Sequence, residues 1–153
     1  MRIVEGGLDD PRVIALIDIH LARARAATAP GSSHALGAGG LRTPGITFWT
    51  VWEGDTLLGC GALRILSPGH GEVKSMHTVE DRRGKGIGGA MLQHIIAAAR
   101  SRNLNRLSLE TGSWDYFKPS HALYRRHGFV PCGPYEHYKE DPNSVFFTLD
   151  LGG

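Results

Sequence analysis

The chain has 153 residues, 41% of them hydrophobic and 21% charged, which suffices for one domain across residues 1–153 and gives no reason to invoke a second. Its 17 Lys and Arg against 15 Asp and Glu leave a formal charge of +2, too balanced for a nucleic-acid binder by bulk charge, so any anion site must be local. Glu5, Asp9 and Asp10 stand where a secretory signal needs an apolar core, and runs such as Val13–Ile17 or Ile95–Ala99 fall far short of the ~18 residues that span a bilayer, so the expectation is a cytoplasmic protein with no membrane partner.

Arg2–Glu5 alternates weakly and predicts a short edge strand. Asp9 or Asp10 then caps a helix with Pro11 in its first turn, and Val13, Leu16, Ile17, His20 and Leu21 recur on one side of it as far as Ala26. Thr28–Gly45 shifts to Gly, Pro, Ser and Ala, a long loop with a short helix expected at Ser33–Leu36; loops of this length in compact domains are often functional. Ile46–Glu53 and Thr56–Leu66, joined at Gly54-Asp55, predict a hairpin, and Glu72–Val79 follows the turn at Ser67–Gly71 as a third antiparallel strand. Ile87, Met91, Leu92, Ile95, Ile96 and Ala99 fall into helical spacing up to Arg102 and Asn103. Leu107–Thr111 reads as a strand, Pro119–Arg126 as a short helix stopped by Gly128, and Phe129–Cys132 and Val145–Leu151 as the last strands. Cys60 and Cys132 are isolated, without metal-ligand spacing, and read as reduced packed thiols; no metal is expected. The order of elements predicts a mixed α/β (α+β) fold, not the regular alternation of a doubly wound sheet.

The densest chemical signal is Arg82-Arg83-Gly84-Lys85-Gly86-Ile87-Gly88-Gly89, between a predicted strand and the best predicted helix. Glycines let a backbone approach phosphate closely, and a helix start offers unpaired N–H groups and a positive dipole end. With three cations beside it, this turn reads as an anion cradle. Gly84, Gly86 and Gly89 match the spacing of a dinucleotide fingerprint, yet a hairpin and a third strand precede them, unlike that fold's first strand-turn-helix unit. A P-loop is excluded more simply, because Gly86 follows Lys85 where Ser or Thr is required and Val79 replaces the leading glycine.

At these residues the sequence resembles the GCN5-related N-acetyltransferase (GNAT) superfamily. Arg83, Gly86 and Gly88 meet its pyrophosphate-loop pattern of Arg or Gln, any two, Gly, any, Gly or Ala. Leu123-Tyr124-Arg125-Arg126-His127-Gly128-Phe129 is similar to the Leu-Tyr, three residues, Gly-Phe segment after the family's fifth strand. The resemblance implies a mostly antiparallel central sheet of about six to seven strands with about four helices, and fourth and fifth strands that splay apart. It implies acetyl-CoA between those strands, its pyrophosphate on Arg82, Arg83, Gly84, Lys85, Gly86, Ile87, Gly88 and Gly89, and its pantetheine along Met76, His77 and Thr78, one of whose N–H groups polarises the thioester carbonyl.

The implied reaction is acetyl transfer to a primary amine by direct attack in a ternary complex. Tyr124 stands where many members place a tyrosine that protonates the departing thiolate. Glu72, eleven positions before Arg83, has the offset of the catalytic glutamate in histone-acetylating members. Glu110 and His77 are rival bases, and His121 a weaker one. The sequence departs from the family at Phe117, where many members carry an Asn contacting pantetheine, and at Arg82, where an aromatic is common.

The acceptor should be framed by Thr28–Gly45, Gly112–Lys118 and Gly133–Asn143, with Ser33, His34, Trp114, Tyr135 and Tyr138 as its polar and aromatic groups. Without a large charged patch, a small-molecule amine is the expected partner. A non-catalytic acyl-CoA-binding domain, a protein amine and a longer acyl group stay open. Oligomeric state is not written in the pattern, although dimers are common in the resembled family, so a homodimer stays open.

Overall fold

The computed structural model describes residues 1–152. Strand β1 (Arg2–Glu5) leads into helix α1 (Pro11–Ala26), whose first turn is set by two local features. The Asp10 side chain accepts from the Arg12 N–H at 2.9 Å, and Pro11 supplies a helical φ where no N–H partner is needed. The expected helix at Ser33–Leu36 is displaced to α2 (Ala38–Leu41). Leu41, 1% exposed, is what this turn buries, against the cluster holding Val13 and Ile17; Ser33–Leu36 is left irregular.

Strands β2 (Ile46–Glu53), β3 (Thr56–Ser67) and β4 (His70–Thr78) form the predicted antiparallel meander. A 3-10 turn at Glu80–Arg82 precedes α3 (Ile87–Ser101), and β5 (Arg106–Gly112) follows. A second 3-10 turn at Asp115–Phe117 runs into α4 (Lys118–Arg126), which ends at Gly128 with φ 91°. β6 (Val130–Cys132) and β7 (Ser144–Asp150) complete the chain.

The seven strands make one sheet in the order β1-β2-β3-β4-β5-β7-β6. Every pair is antiparallel except β4 with β5. Apolar side chains cover both faces, which is why β2 reads as a nearly continuous apolar run. On one face Met91, Leu92 and Ile95 of α3 pack on Val51, Leu63, Leu107 and Phe147. On the other, Val13, Leu16 and Ile17 of α1 pack on Phe48, Trp52, Cys60 and Ala62.

The parallel pair is short, and that shapes the molecule. Only His70, Gly71 and Glu72 of β4 pair with Arg106, Leu107 and Ser108 of β5. Beyond them the strands separate. Ser75 has φ 56° and the β3–β4 register shifts between Cys60 and Ala62; such a bulge adds local twist and bends the strand. β5 stays paired with β7 along its whole length, Arg106 to Gly112, so the opening lies between β4 and β5.

Candidate active site

That opening continues into a cavity of about 470 Å³. One end is the glycine turn. Gly84 and Gly86 have φ 78° and 83°, a region in which other residues are strained, and a Cβ on either would meet nothing within 4 Å. The amides from Gly84 through Gly89 donate no hydrogen bond within the described chain, the next N–H, Ala90's, being the first to find a helical partner, at Gly86 O. Six orphan donors at the start of a 15-residue helix, with Arg82, Arg83 and Arg126 also lining the cavity, match the chemistry of a diphosphate. Arg83 is held across the opening by its hydrogen bond to the Tyr116 hydroxyl at 3.1 Å and its place over that ring. Gly88 has Leu123 Cδ2 3.2 Å from where its Cβ would be, so α3 and α4 close together at this end.

The middle of the cavity is the splayed strands. Met76, His77 and Thr78 line it from β4, and Glu110, Thr111 and Gly112 from β5. Tyr124 lines it from α4 and is 6% exposed. Burial first, then the neighbouring Glu110 charge, raise its phenol above the ordinary range, so it keeps its proton. Burial likewise pushes Glu110 up to about 7, with Glu72 and Asp141 adding and Ser144 and Lys74 opposing. His77 is pulled down to about 3, first by burial and then by His20 and Arg83. Its Nδ1 lies 3.1 Å from Nδ1 of His20, itself lowered to about 4 by burial. The rings are neutral partners, one donating and one accepting.

The other end is the expected acceptor side. Thr28, Ser32, Ser33, His34 and Asn143 line it, and Ser32 donates to Asp141 at 2.8 Å. Trp114, 43% exposed, lies outside the lining and donates to Asn143 Oδ1. Phe117 packs so closely over Gly112 that a Cβ there would overlap its ring.

Several of the expected site side chains, Tyr135 and Tyr138 among them, lie off the cavity wall. Lys85 is exposed and does not line the cavity; its backbone N–H alone belongs to the cradle. Glu72 is also off the cavity wall. It is the last β4 residue paired with β5, is 1% exposed, and accepts from the hydroxyls of Tyr135 at 2.6 Å and Tyr138 at 2.7 Å. Both phenols thus occupy Oε2 at the closed end of the splay, and the carboxyl does not line the cavity. His121 bonds Gly112 O through Nε2 at 2.8 Å and points away. His20 and Tyr116 joined the site without being expected there. The signal for His20 was a polar residue on the apolar stripe of α1; nothing in the sequence pairs Tyr116 with Arg83.

Cys60 and Cys132 are both free. Cys60 is buried, its thiol pushed up to about 12, and donates to Ser75 O at 3.3 Å. Among the described residues no helix is long and apolar enough to cross a membrane.

Comparison with known proteins agrees with this geometry. The profile of the Acetyltransferase (GNAT) family matches residues 14–129. The uncharacterized N-acetyltransferase YsnE of Bacillus subtilis is 48% identical over 99% of this chain and 100% of its own. The uncharacterized N-acetyltransferase YedL of Escherichia coli is 45% identical over 94% of this chain and 91% of its own. A Bacillus subtilis acetyltransferase solved in complex with CoA superposes with a TM-score of 0.72 over 97% of both chains at 18% identity, a likeness of fold. With the family profile spanning most of its length and relatives this close, the chain belongs to the GNAT acetyltransferase family.

Proposed function

We propose that the protein is a single-domain N-acetyltransferase of the cytoplasm that moves an acetyl group from acetyl-CoA to a primary amine of a small molecule by direct attack in a ternary complex. The observation that carries this reading is one cavity joining six unpaired amides at a helix start to a half-buried carboxyl and a buried phenol. Acetyl-CoA supplies the activated thioester. The chain's own residues do the rest. The amides of Gly84 to Gly89, with Arg82, Arg83 and Arg126, hold phosphate oxygens. The unpaired edge of β4 at Met76, His77 and Thr78 aligns the pantetheine, and a backbone N–H there polarises the carbonyl, a contribution worth about 3–4 kcal/mol where such donors have been removed.

Glu110, not Glu72, takes the ammonium proton. A base works best with a pKa near the working pH, and Glu110 at about 7 meets that condition where His77 at about 3 is too weak. Tyr124 gives its proton to the departing thiolate, and its buried setting keeps that proton in place until then.

The test is a screen of primary amines with acetyl-CoA, read by thiol release and repeated with Glu110→Gln. The expected result is turnover of at least one amine, rising with pH through about 7. Glu110→Gln should lower kcat/KM by about 10²-fold or more and leave CoA affinity, measured by calorimetry, unchanged. No amine-dependent thiol release would make this a binding domain, and an unimpaired Glu110→Gln would return the base role to His77 or water.

A further inference from the structure

Glu72 is more elaborately held than a structural residue needs to be. Both phenols converge on a single oxygen, Oε2, from Tyr135 and Tyr138. The other oxygen, Oε1, is buried without a hydrogen bond and has Lys74 Nζ 3.6 Å away. Lys74 in turn donates to the Tyr138 hydroxyl at 3.3 Å. Taking a carboxylate and an ammonium out of water costs several kcal/mol each, and apolar side chains of similar volume commonly hold a fold as well or better. Stability alone does not account for the pair.

What the network touches does. Tyr135 and Tyr138 belong to the stretch 133–143, which ends in Asn143 on the cavity wall. The same stretch carries Asp141, which holds Ser32, and Tyr138 meets His34 edge-on with centroids 5.0 Å apart. The acceptor wall made by 32–35 and 143 thus rests on a segment fastened to β4 through Glu72. Glu72 and Lys74 also act on Glu110 with opposite signs.

We propose that Glu72 is a positioning residue for the acceptor half of the cavity: Oε2 fastens the stretch 133–143 to β4, and the carboxylate, opposite Ser108 and so one same-face step from Glu110 on the neighbouring strand, adds to burial in favouring the protonated form of Glu110, with Lys74 opposing it. This rests on Glu110 being the base. The charged and titratable groups coupled electrostatically to Glu110 are Glu72 and Lys74 from β4, Asp141, Tyr135 and Tyr138 from the covering stretch, and Tyr124 from α4.

Two variants separate charge from tether. In Glu72→Gln the amide oxygen can still accept both phenols while the charge is gone. Carboxyl titration followed by NMR on the full chain labelled with carboxyl-¹³C glutamate, the Glu110 signal being the one lost in Glu110→Gln, should show the Glu110 midpoint falling by about one pH unit in Glu72→Gln. Amide hydrogen exchange across 133–143 should stay as in the parent. The double variant Tyr135→Phe/Tyr138→Phe keeps the charge and removes the tether, so exchange across 133–143 should speed up by about tenfold or more while α3 is unaffected. An unmoved Glu110 midpoint in Glu72→Gln overturns the electrostatic role, and unchanged exchange in the double variant overturns the fastening. Neither readout needs an acceptor or turnover, so a wrong base assignment shows separately, as an active Glu110→Gln.

Discussion

Glu72 and Glu110 lie on neighbouring strands, and the place where β4 and β5 stop pairing divides their surroundings, with Glu110 on the cavity wall and Glu72 off it. Glu72 sits opposite Ser108, inside the last paired step, while Glu110 lies two residues beyond it in the open part. Counting back from Arg83 finds a glutamate on the correct strand but cannot say where the strand leaves its neighbour. The place of Tyr124 near a helix end is legible in the Leu-Tyr and Gly-Phe spacing, and Gly128 in the left-handed region fixes that end. Its buried phenol makes a direct prediction. Tyr124→Phe should lower kcat by about 10²-fold with the KM for acetyl-CoA unchanged, because the ring still packs against Phe129 and Phe147. Steady-state kinetics with the acceptor found by the amine screen checks it, and an undiminished kcat removes Tyr124 from the chemistry.

At the scale of elements, the cofactor edge of β4 depends on its close approach to β3. Gly59 pairs with Thr78, and a Cβ there would lie 2.7 Å from the His77 carbonyl oxygen and 3.3 Å from Ile87 Cγ2. The carbonyl belongs to the backbone and cannot swing aside as a side-chain tip would. Gly59→Ala should therefore destabilise the protein by about 1–3 kcal/mol and displace the strand that carries Met76 to Thr78. Urea unfolding gives the first quantity, and a midpoint equal to the parent's would show that the strands part without cost. Packing also decides where α2 forms. Composition marks Thr28–Gly45 as loop, but which four residues coil within it is settled by Leu41 finding the apolar face of α1.

For the whole molecule, two histidines and one glutamate set opposed pH dependences. His20 and His77 titrate normally at 6.5 but are lowered to about 4 and about 3 when folded, so the unfolded chain binds more protons as pH falls below 6.5 and stability is lost. Glu110 moves from 4.5 to about 7, so the folded chain holds that extra proton between those values and gains stability on acidification. Two against one leaves a net loss of about 1.4 kcal/mol per pH unit between roughly pH 6.5 and 4.5. Burial also lowers His70 and His121, which acts in the same direction. Denaturant unfolding at pH 7, 6 and 5 measures the slope, and a flat or inverted one contradicts the buried, neutral pairing of His20 with His77.

Local patterns were sufficient for the strands, the long helices, the glycine turn and the tyrosine segment, because each rests on contacts between residues close in sequence: a period, a cap, a left-handed glycine. The family followed from two such motifs at their proper separation. What no local pattern carries is how far β4 and β5 run together, that β7 inserts between β5 and β6, and that a stretch near the C-terminal end places two tyrosines on Glu72. Those outcomes depend on packing between residues distant in sequence, from the β4–β5 pairing to the contact of Tyr138 with Glu72, 66 positions away, and they alone decide which carboxyl faces the cavity and which is buried behind it.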